Sequence, residues 1–250
     1  MYLCIKIYNM KNYSELLAII IPDVHGRKFW KDIIEDYDGT VPVIFLGDYL
    51  DPYSFENITP LQALENFKEI WEFKEKWGDK VICNIGNHDL SYYDIYFQTC
   101  RYSREVSEWY GKFLRDHFDE FNIVTEIEYN GIKYLFSHAG IHPQWLHQNN
   151  LEINYSADYI NSIFRDNPKI FYQLSYYRGG YDTGSPVWAD IREYPIESET
   201  QNIIQIIGHT QLNDDGIFIK MGDVYCIDSR RPFVLKKDGT IESIKENKEE

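Results

Sequence analysis

The chain has 250 residues, 44% of them hydrophobic, and a formal net charge of −15. That length buries a substantial core, most simply as one domain over residues 1–250, and the acidity opposes a broad footprint on nucleic acid or an anionic membrane. The longest apolar run, Leu16–Ile21, is far short of the about 18–20 residues that span a bilayer, and no secretory pattern is evident, so the expectation is a cytoplasmic enzyme.

Taken in order, Tyr2–Tyr8 reads as a strand and Lys11–Glu15 as a connection. Leu16–Ile21 is a β-branched, apolar run expected to form a buried strand, leaving through Pro22-Asp23-Val24-His25-Gly26. Phe29–Tyr37 reads as a short helix and Val43–Leu46 as a second strand, followed by Gly47, Asp48 and Asp51. A clear helix begins at Thr59: Thr59 is the cap, Pro60 takes the first helical position and Gln62 completes a capping box. Leu61, Leu64, Phe67 and Trp71 mark its apolar side, and Gly78 ends it. Val81–Ile85 is a third strand that runs into Asn87-His88-Asp89. Strand–helix–strand connections of this kind favour parallel neighbours.

Residues 92–121 are rich in Tyr, Phe and Trp and are helical over Ser103–His117; they read as core or as a cap over a site. Three hairpins follow: Ile123–Tyr129 with Ile132–Phe136 across Asn130-Gly131, Ile217–Lys220 with Val224–Ile227, and Phe233–Leu235 with Thr240–Ile244. Residues 144–190 are the least regular stretch, with a helix at Ala157–Phe164 and then loops around Arg178-Gly-Gly180 and Gly184-Ser-Pro186; such segments are commonly functional. Lys245–Glu250 is a charged tail. The four cysteines, Cys4, Cys83, Cys100 and Cys226, form no C-x-x-C pair and read as buried thiols.

Five apolar runs end in side chains able to bind metal: Asp23 and His25, Asp48 and Asp51, Asn87 to Asp89, His138, and His209. A carboxylate at the mouth of a buried strand is costly unless cations or hydrogen-bond donors compensate it. Carboxylate, carboxamide and imidazole together suit divalent transition metals. Each piece alone also occurs as an ordinary turn or a satisfied core residue; their shared placement at strand ends points to one site.

Asp23-Val-His25-Gly26, Gly47-Asp48-Tyr-Leu-Asp51, Gly86-Asn87-His88-Asp89, His138-Ala-Gly140 and Gly208-His209-Thr210 resemble the five signature blocks of the calcineurin-like metallophosphoesterases, most similar to the phosphoprotein-phosphatase branch in its bacterial and phage forms. The resemblance implies an α/β fold, a four-layer αββα sandwich with two mixed sheets. It also implies two divalent ions, with manganese expected and iron, zinc or cobalt equally suited to the ligands. One would be held by Asp23, His25 and Asp48, the other by Asp48, Asn87, His138 and His209. A hydroxide between them would attack phosphorus, His88 would protonate the leaving oxygen, and Asp51 would orient His88 and favour its imidazolium form. Asp89 reads as support behind the ligands.

The resemblance further implies hydrolysis of a phosphomonoester, as a serine/threonine phosphatase, on a phosphoprotein or a phosphorylated small molecule. A nucleotide or dinucleoside polyphosphate hydrolase and a non-catalytic metal-binding module of the same fold are the alternatives. A nuclease or cyclic-nucleotide esterase is disfavoured because Gln211 stands where those branches carry a second histidine. The block that normally continues with an arginine has Pro52-Tyr53 instead. Arg192, near Val187-Trp-Ala-Asp190, is the first candidate to replace it as a phosphate ligand, followed by Arg178 and Arg27; each also reads as an ordinary surface arginine. A second departure is Pro22, where a glycine usually precedes Asp-x-His. His142 reads as structural, and His117 and His147 as surface residues.

Overall fold

The computed structural model describes residues 13–31, 37–94, 96–197, 202–213 and 216–244. The expected strand Tyr2–Tyr8, most of the helix Phe29–Tyr37 and the tail Lys245–Glu250 lie outside them. After a short 3-10 turn at Tyr13–Glu15, strands β1 (Leu16–Ile21), β2 (Val43–Phe45), β3 (Val81–Asn84) and β4 (Phe121–Asn122) pair in parallel, and the far edge is extended by β10 (Phe233–Lys236), antiparallel to β1, and β11 (Ile241–Ser243), antiparallel to β10. The second sheet runs β5 (Val124–Tyr129), β6 (Ile132–Ser137), β7 (Ile203–Ile207), β9 (Val224–Cys226) and β8 (Ile219–Met221). Both sheets are mixed. The three expected hairpins are all present, and the first turns through Asn130 and Gly131, both at positive φ, as a tight two-residue hairpin requires.

Side-chain alternation explains the layering. On β1 and β2, Ile19, Ile21, Val43 and Phe45 enter one core, while Ala18, Ile20, Ile44 and Leu46 enter another shared with Tyr134, Phe136 and Ile206 of the second sheet. Strands buried on both faces need continuous apolar runs, which is what Leu16–Ile21 supplies. The outer core is closed over the first sheet by α1 (Pro60–Trp77) and, after the short α2 (Asn87–Tyr93), by α3 (Arg104–Asp116), and over the second by α4 (Pro143–Gln148) and α5 (Ala157–Asp166). These layers form the expected αββα arrangement.

Helix α1 begins as its sequence requires: the Gln62 amide donates to Thr59 Oγ1 at 3.2 Å and the Thr59 amide to Gln62 Oε1 at 2.8 Å. Leu64, Phe67 and Trp71 are buried, but Leu61 is 50% exposed and lies off the apolar stripe. Ala63 takes its place in the core, because the buried stripe is set by contact with β3 and α3, not by the first apolar residue after the cap. The aromatic segment also splits: Tyr92 and Tyr110 are core, while residues 97–101 form part of a cavity wall.

A polar tie crosses the apolar space between the sheets. Asn84 of β3 donates to the Phe136 carbonyl of β6 at 2.9 Å and accepts from Thr125 Oγ1 of β5 at 2.8 Å. Asn84→Ala removes a bond to the Phe136 carbonyl and takes the acceptor from the buried Thr125 hydroxyl, so the expected cost is about 1–3 kcal/mol of unfolding free energy, read from urea denaturation; a loss indistinguishable from zero would show that the sheets do not depend on the tie.

Candidate metal centre and its cavity

The five motif segments leave their strands on the same edge of the two sheets, because β1, β2 and β3 run parallel to one another and so do β6 and β7. Ligand sites of α/β sheets form outside the carboxyl ends of strands for this reason. Backbone bonds lock the segments together: the His25 amide donates to the Asp48 carbonyl at 2.6 Å, and the Gly208 amide to the His138 carbonyl at 2.9 Å.

The side chains then converge. Asp23, Asp48 and His138 each bring one ligand atom within 4.8 Å of the others. Asp48 Oδ2 lies 3.6 Å from His25 Nε2 and 3.5 Å from His138 Nε2, between the two imidazoles. His138 Nε2 is also 2.9 Å from Asn87 Oδ1 and 3.0 Å from His209 Nδ1. The rings are oriented from behind: His25 Nδ1 donates to the Leu50 carbonyl at 2.8 Å and His138 Nδ1 to the Leu46 carbonyl at 3.1 Å. Each therefore turns its lone-pair nitrogen inward, the usual support of a metal-binding histidine.

Burial sets the protonation of this cluster. It pushes Asp23 upward and Asp48 up to about 7, while His25, His138 and His209 are pushed down, the first and last strongly. Neutral imidazoles facing carboxylates that lack countercharge form a donor set matched to cations. His209 Nε2 is buried with no hydrogen-bond partner, an atom that a metal or a bound ligand would satisfy. The residues thus fit a divalent-metal centre.

Asp89 holds this geometry in place. Fully buried, it accepts from the amides of Asp48 (2.7 Å), Tyr49 (3.1 Å) and Gly86 (2.8 Å) and from the Tyr110 hydroxyl (2.8 Å), joining two strand-end turns. His25, Asp48, Asp51 and His209 all have positive φ. Four such non-glycine residues cost about 1–3 kcal/mol each, a large fraction of a typical domain's stability of roughly 5–15 kcal/mol. Strain on that scale persists only where surrounding bonds over-determine the backbone. Two glycines admit the carboxylates: a Cβ on Gly86 would collide with Asp48 Oδ1, and one on Gly208 with Asp23 Oδ1.

Beside the cluster, His88 Nδ1 is 2.7 Å from Asp51 Oδ2, and Asp51 Oδ1 accepts from the Tyr92 hydroxyl. In this pocket burial pushes His88 down to about 4 and Asp51 up to about 7, so the carboxylate by itself does not hold His88 as the imidazolium. The cavity in front measures about 450 Å³ and is lined by Asp23, His25, Asp48, Asn87, His88 and His209, with Tyr53, Phe97, Cys100, Arg101, Arg178 and Trp188 completing its walls.

The three sequence-selected arginines separate here. Arg178 lines the cavity, bonded to Thr210 Oγ1 at 2.9 Å and paired with Asp190 at 2.9 Å. Arg192 does not line it: its largely exposed side chain pairs with the same Asp190 and lies over Tyr177. Arg27 also falls outside the lining, paired with Glu56 and bonded to the Asp23 carbonyl. His142 is structural, capping α4 through the Gln144 amide. Cys83 and Cys226 are buried as expected, but Cys100 is exposed because the loop carrying it forms cavity wall.

Sequence reasoning missed Arg101, Tyr53 and Asp228. Asp228 follows β9, is buried, and is pushed strongly upward by burial and then by the charge of Asp23. Arg101 is the single cation between residues 92 and 103, which is the only signal the chain carries for it.

The calcineurin-like phosphoesterase profile matches residues 16–236. The chain belongs to that family. It is accordingly a phosphoesterase, a hydrolase of a fold class that includes phosphatases. A search of curated protein sequences returned no match. Among solved structures, a cold-active protein-tyrosine phosphatase of a psychrophilic Shewanella is similar at a TM-score of 0.58 and 18% identity, over 91% of this chain and 80% of that one. A protein serine/threonine phosphatase from Saccharomyces cerevisiae is similar at a TM-score of 0.58 and 14% identity, over 96% and 83% of the two chains. At these identities the likeness is one of fold. No helix among the described residues is long and apolar enough to cross a membrane.

Gly208→Ala should displace Asp23 while leaving the sheets intact. The expected result is at least about a tenfold loss of metal affinity, of the size seen when ligand support is removed, with little change in far-UV circular dichroism. Metal titration by calorimetry checks it, and unaltered affinity would contradict the close approach.

Proposed function

We propose that this phosphoesterase hydrolyses phosphate monoesters as a serine/threonine-type phosphatase, using two divalent ions. Asp23, His25 and Asp48 would hold one, and Asp48, Asn87, His138 and His209 the other. The observation that carries this reading is the position of Asp48 Oδ2 between His25 Nε2 and His138 Nε2, with a second group of donor atoms gathered around the latter. Manganese is our choice of ion; the oxygen and nitrogen donors suit iron, zinc and cobalt as well.

When bound, such ions acidify water and withdraw charge from phosphoryl oxygens. The protein's own residues do the rest. His88 is held by Asp51 through Nδ1, and its Nε2 faces the cavity, where a proton on it reaches a leaving oxygen. Burial lowers the basicity of free His88, but an incoming phosphate dianion favours the charged imidazole and reverses that effect. Arg178 lines the same cavity with its charge shared with Asp190, and Phe97 and Trp188 pack edge to face in its wall. Phosphoproteins and phosphorylated small molecules both present the required group.

The test uses protein loaded with Mn²⁺ and para-nitrophenyl phosphate. Asp48→Asn should abolish turnover and lower bound metal from two ions per chain, measured by elemental analysis. His88→Ala should cut kcat by about 10²- to 10⁴-fold, as expected for loss of a general acid, while retaining both ions. Full metal loading with no turnover on phosphopeptides, mononucleotides or dinucleoside polyphosphates would overturn the reading in favour of a binding module.

A further inference from the structure

Arg101 is the one cavity arginine without a carboxylate partner: Arg178 is neutralised by Asp190, whereas Arg101 makes no ion pair among the described residues. Its guanidinium is nevertheless closely held. Nε donates to the Asp51 carbonyl at 3.0 Å, and the guanidinium carbon lies 3.7 Å from the centroid of the Tyr53 ring, in direct cation–π contact. The remaining edge points inward, with Nη2 3.4 Å from His25 Nε2 and 3.2 Å from His88 Nε2. Arg101 also has φ of 68°, so the backbone is placed in the left-handed region to deliver this side chain.

Those inward contacts cannot persist in the loaded centre. A guanidinium donates only, and it is satisfied here by a lone pair on His25 Nε2. If His25 gives that lone pair to a metal ion, Nη2 faces a dication and keeps His88 Nε2 as its one acceptor, which it loses in turn once that ring carries the proton for a leaving oxygen. Asp48 and Asp51 lie near enough to offset part of that charge, but neither is ion-paired with the guanidinium among the described residues. An anion between Arg101, His88 and the metal-binding residues offsets the rest, and a phosphoryl group offers the oxygen geometry that a guanidinium fork grips.

We propose that Arg101, delivered by the 96–103 loop and seated on Tyr53, is the phosphoryl-binding arginine of this enzyme, and that Tyr53 is its positioning residue. The pair stands in for the arginine that Pro52 lacks: residue 53 supplies an aromatic platform, and the cation arrives from a separate loop. This assignment rests on reading the cavity as a phosphoester site. It also gives the exposed part of the aromatic segment a role, since the same loop contributes Phe97 and Cys100 to the wall.

The test is calorimetric titration of inorganic phosphate into the Mn²⁺-loaded protein, with orthovanadate inhibition of para-nitrophenyl phosphate hydrolysis alongside. Arg101→Ala should weaken phosphate binding by about 10- to 100-fold, the worth of a hydrogen bond to a charged group, with bound manganese unchanged. Arg101→Lys keeps the charge without the fork and should recover only part of the loss, and it serves as the readable variant if the alanine form does not fold. Tyr53→Ala, which removes the ring beneath the guanidinium, should raise the KM and the phosphate Kd together with kcat less affected. Phosphate affinity in Arg101→Ala and Arg101→Lys within about twofold of the wild type, a difference worth less than a single hydrogen bond, would overturn the assignment while leaving the phosphoesterase reading intact. A wild-type protein that takes up manganese but no phosphate would overturn both.

Discussion

Four donors converge on the carboxylate of Asp89, and the rest of the site depends on that convergence. The amides of Gly86, Asp48 and Tyr49 belong to two different strand-end turns, and Tyr110 belongs to the helix packed behind them. A buried carboxylate without a cation beside it is expensive, and burial pushes this one up to about 7 even with its donors in place. Its hydrogen bonds are the compensation. They make the separation between the turns after β2 and β3 a property of one side chain, so Asp48 and Asn87 are placed together.

From that anchor the chemistry follows by orientation. Leu46 and Leu50 use their carbonyls to hold the outer nitrogens of His138 and His25, leaving the inner ones for a ligand. Gly86 and Gly208 give up side chains so that two carboxylates can approach the backbone. The positive φ values at His25, Asp48, Asp51 and His209 are the conformational cost of aiming four side chains from tight turns at one point. A centre assembled this way has buried negative charge as its main liability, and divalent cations are the natural remedy.

The arginines show how charge is allotted around such a centre. Asp190 is fully buried and engages both Arg178 and Arg192, drawing one to the cavity wall and leaving the other at the surface. Glu56 does the same for Arg27. Arg101, held by a carbonyl and an aromatic face, makes no ion pair among the described residues and is directed inward. Which cation is left without an ion pair at the cavity is thus decided by where the acids are, not by which arginine lies nearest a motif.

Much of this was legible in the chain itself. The strands ending in Asp23, Asp48, Asn87, His138 and His209 announced both the parallel sheet and a shared site, because apolar runs and turn residues are local signals and parallel strands bring equivalent ends together. The cap at Thr59 and the Asn130-Gly131 hairpin were equally local. Tertiary packing decided the rest. Leu61 is exposed and Ala63 buried because β3 and α3 choose the contact face of α1. Arg178 lines the cavity and Arg192 does not, although both pair with one buried carboxylate, Asp190. Arg101 reaches the cavity from a loop whose sequence has no periodicity to read, and only the closed fold brings it within 3.2 Å of a histidine 13 residues away. Local pattern determines which side chains leave which strands; long-range charge and contact determine which of the remaining ones face the substrate.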